Sequence, residues 1–480
     1  MEDVASRGGG SGEGEEEEPT SSNATTTNNS TTTITVTLKI PNLRAGEDEI
    51  VDPDEAAPNA GDESAELMLL RAAKHVHAAR AQRALYQRVV RKAINSAKNN
   101  LPHKDSTYTF VVDYGQNMSL PSFNKEQPGV VYYYSPLSVY NLGVVNHAHV
   151  YDGDLTNPRE HMHAHVYHEG TAKKGMNNVC SLIMKTLLQL NLLRAGNAAE
   201  ELNIVFDNCT GQNKNNTVLR LVPFLIEMGF FLKVNFIFLV VGHTKNAADR
   251  LFNSLKKIYR NENLYTMPQM LEALDTSKRV TVTEAVESDF LDYSTYFDLF
   301  YRPYKNKILQ NHIFSCCVDD AKDNELIVKF RLSDRDCDPP VSFNCIKRGF
   351  HGRKDYVSLE EAVKNRPQLM ASVAIKQIVG LGMNPYKKVE LRDKYKPNVP
   401  PQYQNDILYS MADEDDEVFC KEETKDRGDL KSKKKRKLSQ KLALKMLEKE
   451  AGEMEGDTVQ EGTADANSLQ EGTAEADFSV

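Results

Sequence analysis

Two short stretches decide the fold: Thr107-Tyr-Thr-Phe-Val-Val-Asp113 and Glu201-Leu-Asn-Ile-Val-Phe-Asp207. Each is a run of β-branched and aromatic residues, the composition of a buried strand, and each ends in an aspartate. Carboxylates at matching ends of neighbouring strands repel one another. Either one is protonated or a cation lies between them. The bland reading of any single aspartate is a surface acid, so the weight rests on the order of the elements around the pair.

That order is readable outward from the first strand. Val130–Tyr134 and Val139–Val145 read as extended, interrupted at Ser135-Pro136, and Met162–His168 alternates as a third strand. Lys173–Arg194 carries Val179, Ile183, Leu187 and Leu190 at helical spacing. After the Asp207 strand, Asn213–Met228 reads as a helix stopped by Gly229. Phe230–Val241 follows as a buried strand and Asn246–Arg260 as a helix. The resulting β-β-β-α-β-α-β-α order predicts an α/β fold, a mixed sheet flanked by helices. Asp249 opens the last helix, close enough to reach the sheet edge that bears Asp113 and Asp207. Three carboxylates are hard oxygen donors suited to Mg²⁺ or Mn²⁺, with two ions expected. Such a pair of ions activates water and stabilises the leaving oxygen of a phosphodiester.

The order and the acids resemble the RNase H-like fold of RNase H, retroviral integrases and DDE transposases. Closer still, the chain is similar to a transposase-derived family of largely uncharacterised eukaryotic proteins. The pieces that carry the likeness are Val112-Asp-Tyr-Gly-Gln-Asn117 with Leu120-Pro121, Glu169-Gly-Thr-Ala-Lys-Lys-Gly175, Asp207-Asn-Cys-Thr-Gly-Gln-Asn-Lys-Asn215, and Gly242-His-Thr244 leading to Asp249-Arg-Leu-Phe252. It covers about residues 65 to 300. The resemblance implies that Asp113, Asp207 and Asp249 bind metal, that His243 lies beside them, and that Gln212 and Asn213 line the same edge. Many DDE enzymes have Glu as the third acid, and Glu169 stands as a further ligand or an alternative third one. No nucleotide-binding or nucleophile-elbow motif is present, so no small-molecule cofactor is expected. No cysteine-rich zinc module accompanies the core.

Five segments follow. Residues 1–60 are polar and low in periodic apolar residues, apart from an alternating run Thr32–Ile40, and are expected to be disordered. Residues 62–98 form one amphipathic helix, 105–265 the core, 266–405 an α/β extension packed on it, and 411–480 a disordered charged tail. In the extension, 267–275, 283–300 and 358–380 read as helices and Cys316–Arg331 as a hairpin. The tail holds a two-copy, ten-residue repeat beginning at Val459 and Leu469.

Charge is segregated along the chain, whose formal net charge is -9. From Leu67 to Lys104 there is no acid, while Arg80, Arg83, Arg88, Arg91 and five other bases are present. Such a helix docks one face on a core and offers the other to phosphates, which makes DNA the expected partner. The compact run Lys433-Lys434-Lys435-Arg436-Lys437 reads as a nuclear localisation signal. The opening residues lack a leader pattern, and the longest apolar run is too short for a bilayer, so an intracellular, nuclear protein without a membrane span is expected. Seven scattered cysteines, with no C-x-x-C pair, read as reduced thiols. His161, His163 and His165 project from one strand face about 7 Å apart, with His168 beyond them. A polar strand face is preferred over a zinc site. Two functions emerge: metal-dependent cleavage or strand transfer on DNA, favoured by the three acids, and a domesticated, non-catalytic nucleic-acid-binding or chromatin-associated protein, favoured by the missing zinc module and biased tails.

Overall fold

A computed structural model describes residues 65–421, apart from 126, 241, 243–244, 305–307, 323–324, 334–338, 348–365 and 381. The expectations for the N-terminal 1–60 segment, His243, the basic run 433–437 and the terminal repeat lie outside the described residues.

The chain is α/β, built on a mixed sheet with helices on both faces. The long helix α1 (Ala65–Lys98) leads into β1 (Thr107–Tyr114). Short strands β2 (Met118–Leu120) and β3 (Ser122–Phe123) precede the long hairpin strands β4 (Leu137–His149) and β5 (Arg159–His168). Helix α2 (Met176–Gln189), β6 (Ala199–Phe206), α3 (Asn216–Leu219), α4 (Leu221–Glu227), β7 (Phe231–Phe238) and α5 (Ala247–Asn261) complete the expected core. Strand β1 is central. On one side β4 and β5 continue antiparallel; on the other β6 and β7 run parallel.

The sheet then grows at both edges. Short β8 (Asn263–Leu264) pairs with β3, and α6 (Met267–Asp275) leads to β9 (Val280–Glu284), which adds parallel to β5. Helix α7 (Tyr293–Phe300) is followed by β10 (Ile313–Cys317), antiparallel to β7. Strands β11 (Ala321–Lys322), β12 (Glu325–Arg331) and β13 (Val341–Asn344) extend that edge.

Side-chain alternation splits the core in two. Phe110, Val112, Ile204, Phe206 and Tyr167 face α2, α4 and α7. Val111, Val205, Ile237, Met162 and Ala164 face α1, α5 and α6. The latter layer is closed by Leu391, Tyr395, Leu408 and Tyr409 from the C-terminal segment. No described helix is long and apolar enough to cross a membrane.

Helix α1 docks through a polar seam. The Ser96 hydroxyl accepts from the Thr107 N–H at 3.1 Å, and the Thr109 hydroxyl donates to the Val89 carbonyl at 3.0 Å. The seam continues under the sheet, where buried Asn203 donates to Thr109 and Asn235 donates to Asn203 at 2.9 Å. These buried asparagines bond one another and their neighbours, Asn203 through Thr109 and Asn235 also through Glu201 at 2.7 Å, the condition for burying an amide.

Several expectations are corrected. Val130–Tyr134 is not a strand but part of a 3₁₀ helix, Gly129–Tyr133. Pro128 fixes its start, and Tyr132 and Tyr133 are exposed, so its β-forming residues have no sheet face to cover. The helix expected over Lys173–Arg194 is shorter. Gly175 caps it in extended conformation, and Asn191 ends it with φ 54°. The helix expected over Asn213–Met228 is two pieces broken at Arg220. Pro223 has no N–H for the Leu219 carbonyl, which instead accepts from the Tyr304 hydroxyl at 3.4 Å. Residues 283–300 are not one helix. Val280-Thr-Val-Thr is β-branched and joins β5, and helix begins only at Tyr293, capped by Asp292. In the range 358–380 the described helix is Arg366–Ser372.

Candidate active site

The parallel register of β1 and β6 pairs Val111 with Val205 and Val112 with Phe206. One residue on, Asp113 is the penultimate residue of β1 and Asp207 directly follows β6. In-register neighbours on parallel strands share a face and are about 4.8 Å apart. Asp113, still within β1, continues the parity of Val111 and so belongs to the α1–α5 side of the sheet.

Asp249 reaches this edge through α5. Phe252, one turn along α5, lies over two glycines: a Cβ on Gly143 would meet its ring at 2.8 Å, and one on Gly115 at 2.9 Å. Gly143 is the β4 partner of Asp113. Glycine is required at these points because any side chain would push the helix away.

The electrostatics register the convergence. Burial, then the Asp207 carboxylate, push Asp113 up to about 7; Asp249 adds to the rise, while the Tyr114 N–H and Lys174 oppose it. The Tyr114 N–H donates to Asp113 Oδ1 at 2.7 Å. Asp207 Oδ1 accepts from Asn213 Nδ2 and, at 3.4 Å, from the Cys209 N–H. Asp249 is exposed, and its Oδ2 accepts from the Asn246 N–H at 2.9 Å as half of a capping box on α5.

The run Gly211-Gln-Asn-Lys-Asn215 holds the loop after Asp207. Asn213 and Lys214 N–H groups donate to the Cys209 carbonyl, and Asn213 also grips Asp207. Lys214 is buried, donates to the Leu309 carbonyl at 2.6 Å and lies over the Phe238 ring. Asn215 caps α3 through the Val218 N–H and donates to the Gln212 carbonyl. Gln212 therefore contributes backbone to the loop, and Asn213 contributes the side chain that touches an acid.

Glu169 is engaged with partners of its own. Its Oε1 accepts from the Ser138 N–H at 2.8 Å and pairs with Lys387, tying the end of β5 to the C-terminal segment. The β5 histidines form a packed polar face. His161 stacks on His149 at 4.5 Å, bonds Tyr151 and Thr281, and touches His163, while His165 bonds Thr186. Burial pushes His161 and His163 down to about 4 and His165 to about 3.

One site residue was missed from sequence. Lys174 places its ammonium over the Tyr114 and Tyr140 rings, at 4.7 and 5.2 Å, and interacts with Asp113 and Cys209. Burial pulls it down while Asp113 holds it up. Its signal was its place in Glu169–Gly175, beside strand residues with exposed-looking tyrosines. A cleft of about 250 Å³ is walled by Asp249, the one acid of the three that lines it, with Asn253, Lys256, Arg260, Gln116 and Asn117. Lys256 donates to Gln116 across it at 2.5 Å.

Of the basic helix, Arg80, Arg88 and Arg91 are exposed, and Arg83 is half-buried with a bond to the Lys245 carbonyl. Lys92 departs from the expected unpaired stripe: it bridges Glu200 and Glu201 at 2.8 and 2.7 Å. Those acids come from β6, which spacing within the helix could not reveal.

Asp113 and Asp207 supply hard oxygen donors whose mutual repulsion a divalent cation would relieve, and in that respect the pair fits Mg²⁺ or Mn²⁺. Among the described residues, no group of three or more His, Cys, Asp or Glu side chains is disposed to hold a metal as it stands.

Residues 143–334 are similar to a family described as "Domain of unknown function (DUF7869)". This stretch contains Asp207 and Asp249 and begins after Asp113. Neither the curated proteins nor the solved structures include a match to the chain.

Proposed function

We propose that this chain is a transposase-derived protein with an RNase H-like core that acts on DNA through Asp113, Asp207 and Asp249. The observation that carries the reading is the parallel register of β1 and β6, whose last pair, Val112 with Phe206, is followed on each strand by an aspartate, Asp113 and Asp207. The β-β-β-α-β-α-β-α order supports it. Asp113 and Asp207 would hold Mg²⁺ or Mn²⁺, with Asp249 joining them by releasing its capping bond. When bound, such ions supply an activated water and charge stabilisation at a phosphodiester. The chain's own residues do the rest. Asn213 orients Asp207, Lys174 offsets negative charge beside Asp113, and Lys256 and Arg260 line the cleft where a phosphate backbone would lie.

A second reading is a domesticated, non-catalytic nucleic-acid-binding or chromatin-associated protein on the same core. The engaged carboxylate of Asp249 favours it. Both readings put the protein in the nucleus, through Lys433–Lys437. Incubating the purified chain with labelled DNA and Mg²⁺ or Mn²⁺ tests the pair. Metal-dependent cleavage or joining that Asp207→Asn abolishes establishes the first. DNA binding without chemistry in either protein establishes the second. Neither binding nor chemistry overturns both.

A further inference from the structure

A second cavity, of about 320 Å³, opens between α1, β4, β5 and the start of α5. Its walls include Arg83 and Arg91 from α1, His147 from β4, Glu160 from β5, and Asn246 and Arg250 from α5. Three guanidinium groups thus surround one carboxylate. Glu160 is already shared, by Arg250 at 2.5 Å and by Arg279 at 3.5 Å. Arg83 and Arg91 each spend one N–H on a carbonyl, Lys245 and Gln87, and neither pairs with an acid among the described residues. The cavity therefore carries an excess of positive charge.

Asn246 adds an independent sign. It is 3% exposed, and its Oδ1 accepts the Ala248 N–H at 2.7 Å as the cap of α5. That bond fixes which end of the amide is oxygen. Nδ2 must be the other end, and it is buried with no acceptor. A buried donor of this kind calls for an acceptor. The first turn of a helix of fifteen residues lies at the same place, with Asp249 already taking its Asn246 N–H, so the arginines carry the positive charge.

The geometry points to a phosphate-group site in this cavity, with Asn246 Nδ2 and the guanidinium groups of Arg83, Arg91 and Arg250 around one tetrahedral oxyanion. Its oxygens would accept several N–H groups at once, the pairing that guanidinium favours. The phosphate comes from a nucleic-acid backbone or from free inorganic phosphate. The first source rests on the DNA reading above; the site itself does not need the aspartates.

The test uses the full chain in EDTA, so that metal chemistry plays no part and the aspartate reading can fail separately. Asn246→Asp keeps the cap, since Asp caps as well as Asn, but replaces the donor with a carboxylate. Asn246→Ser keeps the cap without adding charge. Inorganic phosphate, against chloride at equal ionic strength, should raise the melting temperature of the parent and leave both variants unmoved. Labelled duplex DNA should bind both variants at least tenfold more weakly if the backbone is the source, and equally if only free phosphate is. Should Asn246→Asp fail to give a folded spectrum, the Ser variant decides. No phosphate shift in the parent, or the same shift and DNA affinity in the parent and Asn246→Ser, overturns the site.

Discussion

Asp113 and Asp207 each follow by one residue the Val112–Phe206 pair of two parallel strands, and burial, helped by the Asp207 carboxylate, pushes Asp113 up to about 7. Two carboxylates so placed make each other's ionised form costly, and a divalent ion reverses the sign of that cost. Asp113→Asn is expected to leave the metal-free chain at least as stable as the parent and to remove most of its response to Mn²⁺. A site bound at a hundredfold excess over Kd stabilises by about 2.7 kcal/mol. Thermal melts with and without Mn²⁺ check this, and equal shifts in both proteins would exclude a shared cation.

Gly143 is where β4 lets α5 approach. A Cβ there would come within 2.5 Å of Met162 Sδ and 2.8 Å of Phe252. Gly143→Ala should destabilise by about 1–3 kcal/mol, the usual cost of overpacking. By displacing Phe252 it should also move Asp249 and weaken any metal response further than stability alone accounts for. Urea midpoints and the Mn²⁺ shift read the two effects.

Acid should unfold this protein through its histidines. Burial holds His147, His161 and His163 at about 4 and His165 at about 3. Unfolded histidine titrates near 6.5. Below that pH the unfolded chain takes up protons that the folded histidines refuse, so their contribution is complete above about 6.5 and falls steadily towards 4, while Asp113, held at about 7 in the fold, works the opposite way below that value. The loss is on the order of 1 kcal/mol per histidine at about pH 5. Thr186 donates its own proton to the Leu182 carbonyl, so His165 Nε2–H must donate to Thr186. His165→Gln can keep that bond and should flatten the slope of urea midpoint against pH. An unchanged slope would mean that His165 does not contribute.

Replacing Arg80, Arg83, Arg88 and Arg91 with Gln barely changes helix propensity. Each arginine that meets a phosphate in the parent should, once replaced, reduce the slope of log affinity against log salt by about 0.9 on duplex DNA. Lys92→Gln should leave that slope alone and instead cost stability, because Lys92 is held by Glu200 and Glu201. If the quadruple variant binds with the parent's affinity and slope, the helix is a packing element only.

A reporter carrying residues 425 to 445 should accumulate in the nucleus, and changing Lys433–Lys437 to Gln should return it to the cytoplasm. A reporter that stays cytoplasmic unmodified removes the localisation reading.

What the sequence makes legible is local. An apolar run closed by Asp113 or Asp207, and a stop at Gly229, are written within a few residues. So is Asn246, which caps α5 at the expected place. What escapes depends on distant partners. Val130–Tyr134 has strand composition, but no neighbouring strand receives it. Lys92 looks like part of a basic stripe until β6 brings Glu200 and Glu201 beside it. Lys174 sits in a motif already singled out, yet only the hairpin that carries Tyr140 shows why its ammonium stays near Asp113. The third acid falls between these cases. The position of Asp249 is legible, and its use as a helix cap is not.

The polar seam running from Val89 through Thr109 and Asn203 to Asn235 acts as a gauge. Sliding α1 by a fraction of its turn of about 5.4 Å would part the Thr109 hydroxyl from the Val89 carbonyl and unsettle two buried amides behind it. The helix is thus pinned at one setting along the strand that ends in Asp113. Its arginines and the acid at the end of β1 therefore keep one spacing for as long as the seam holds.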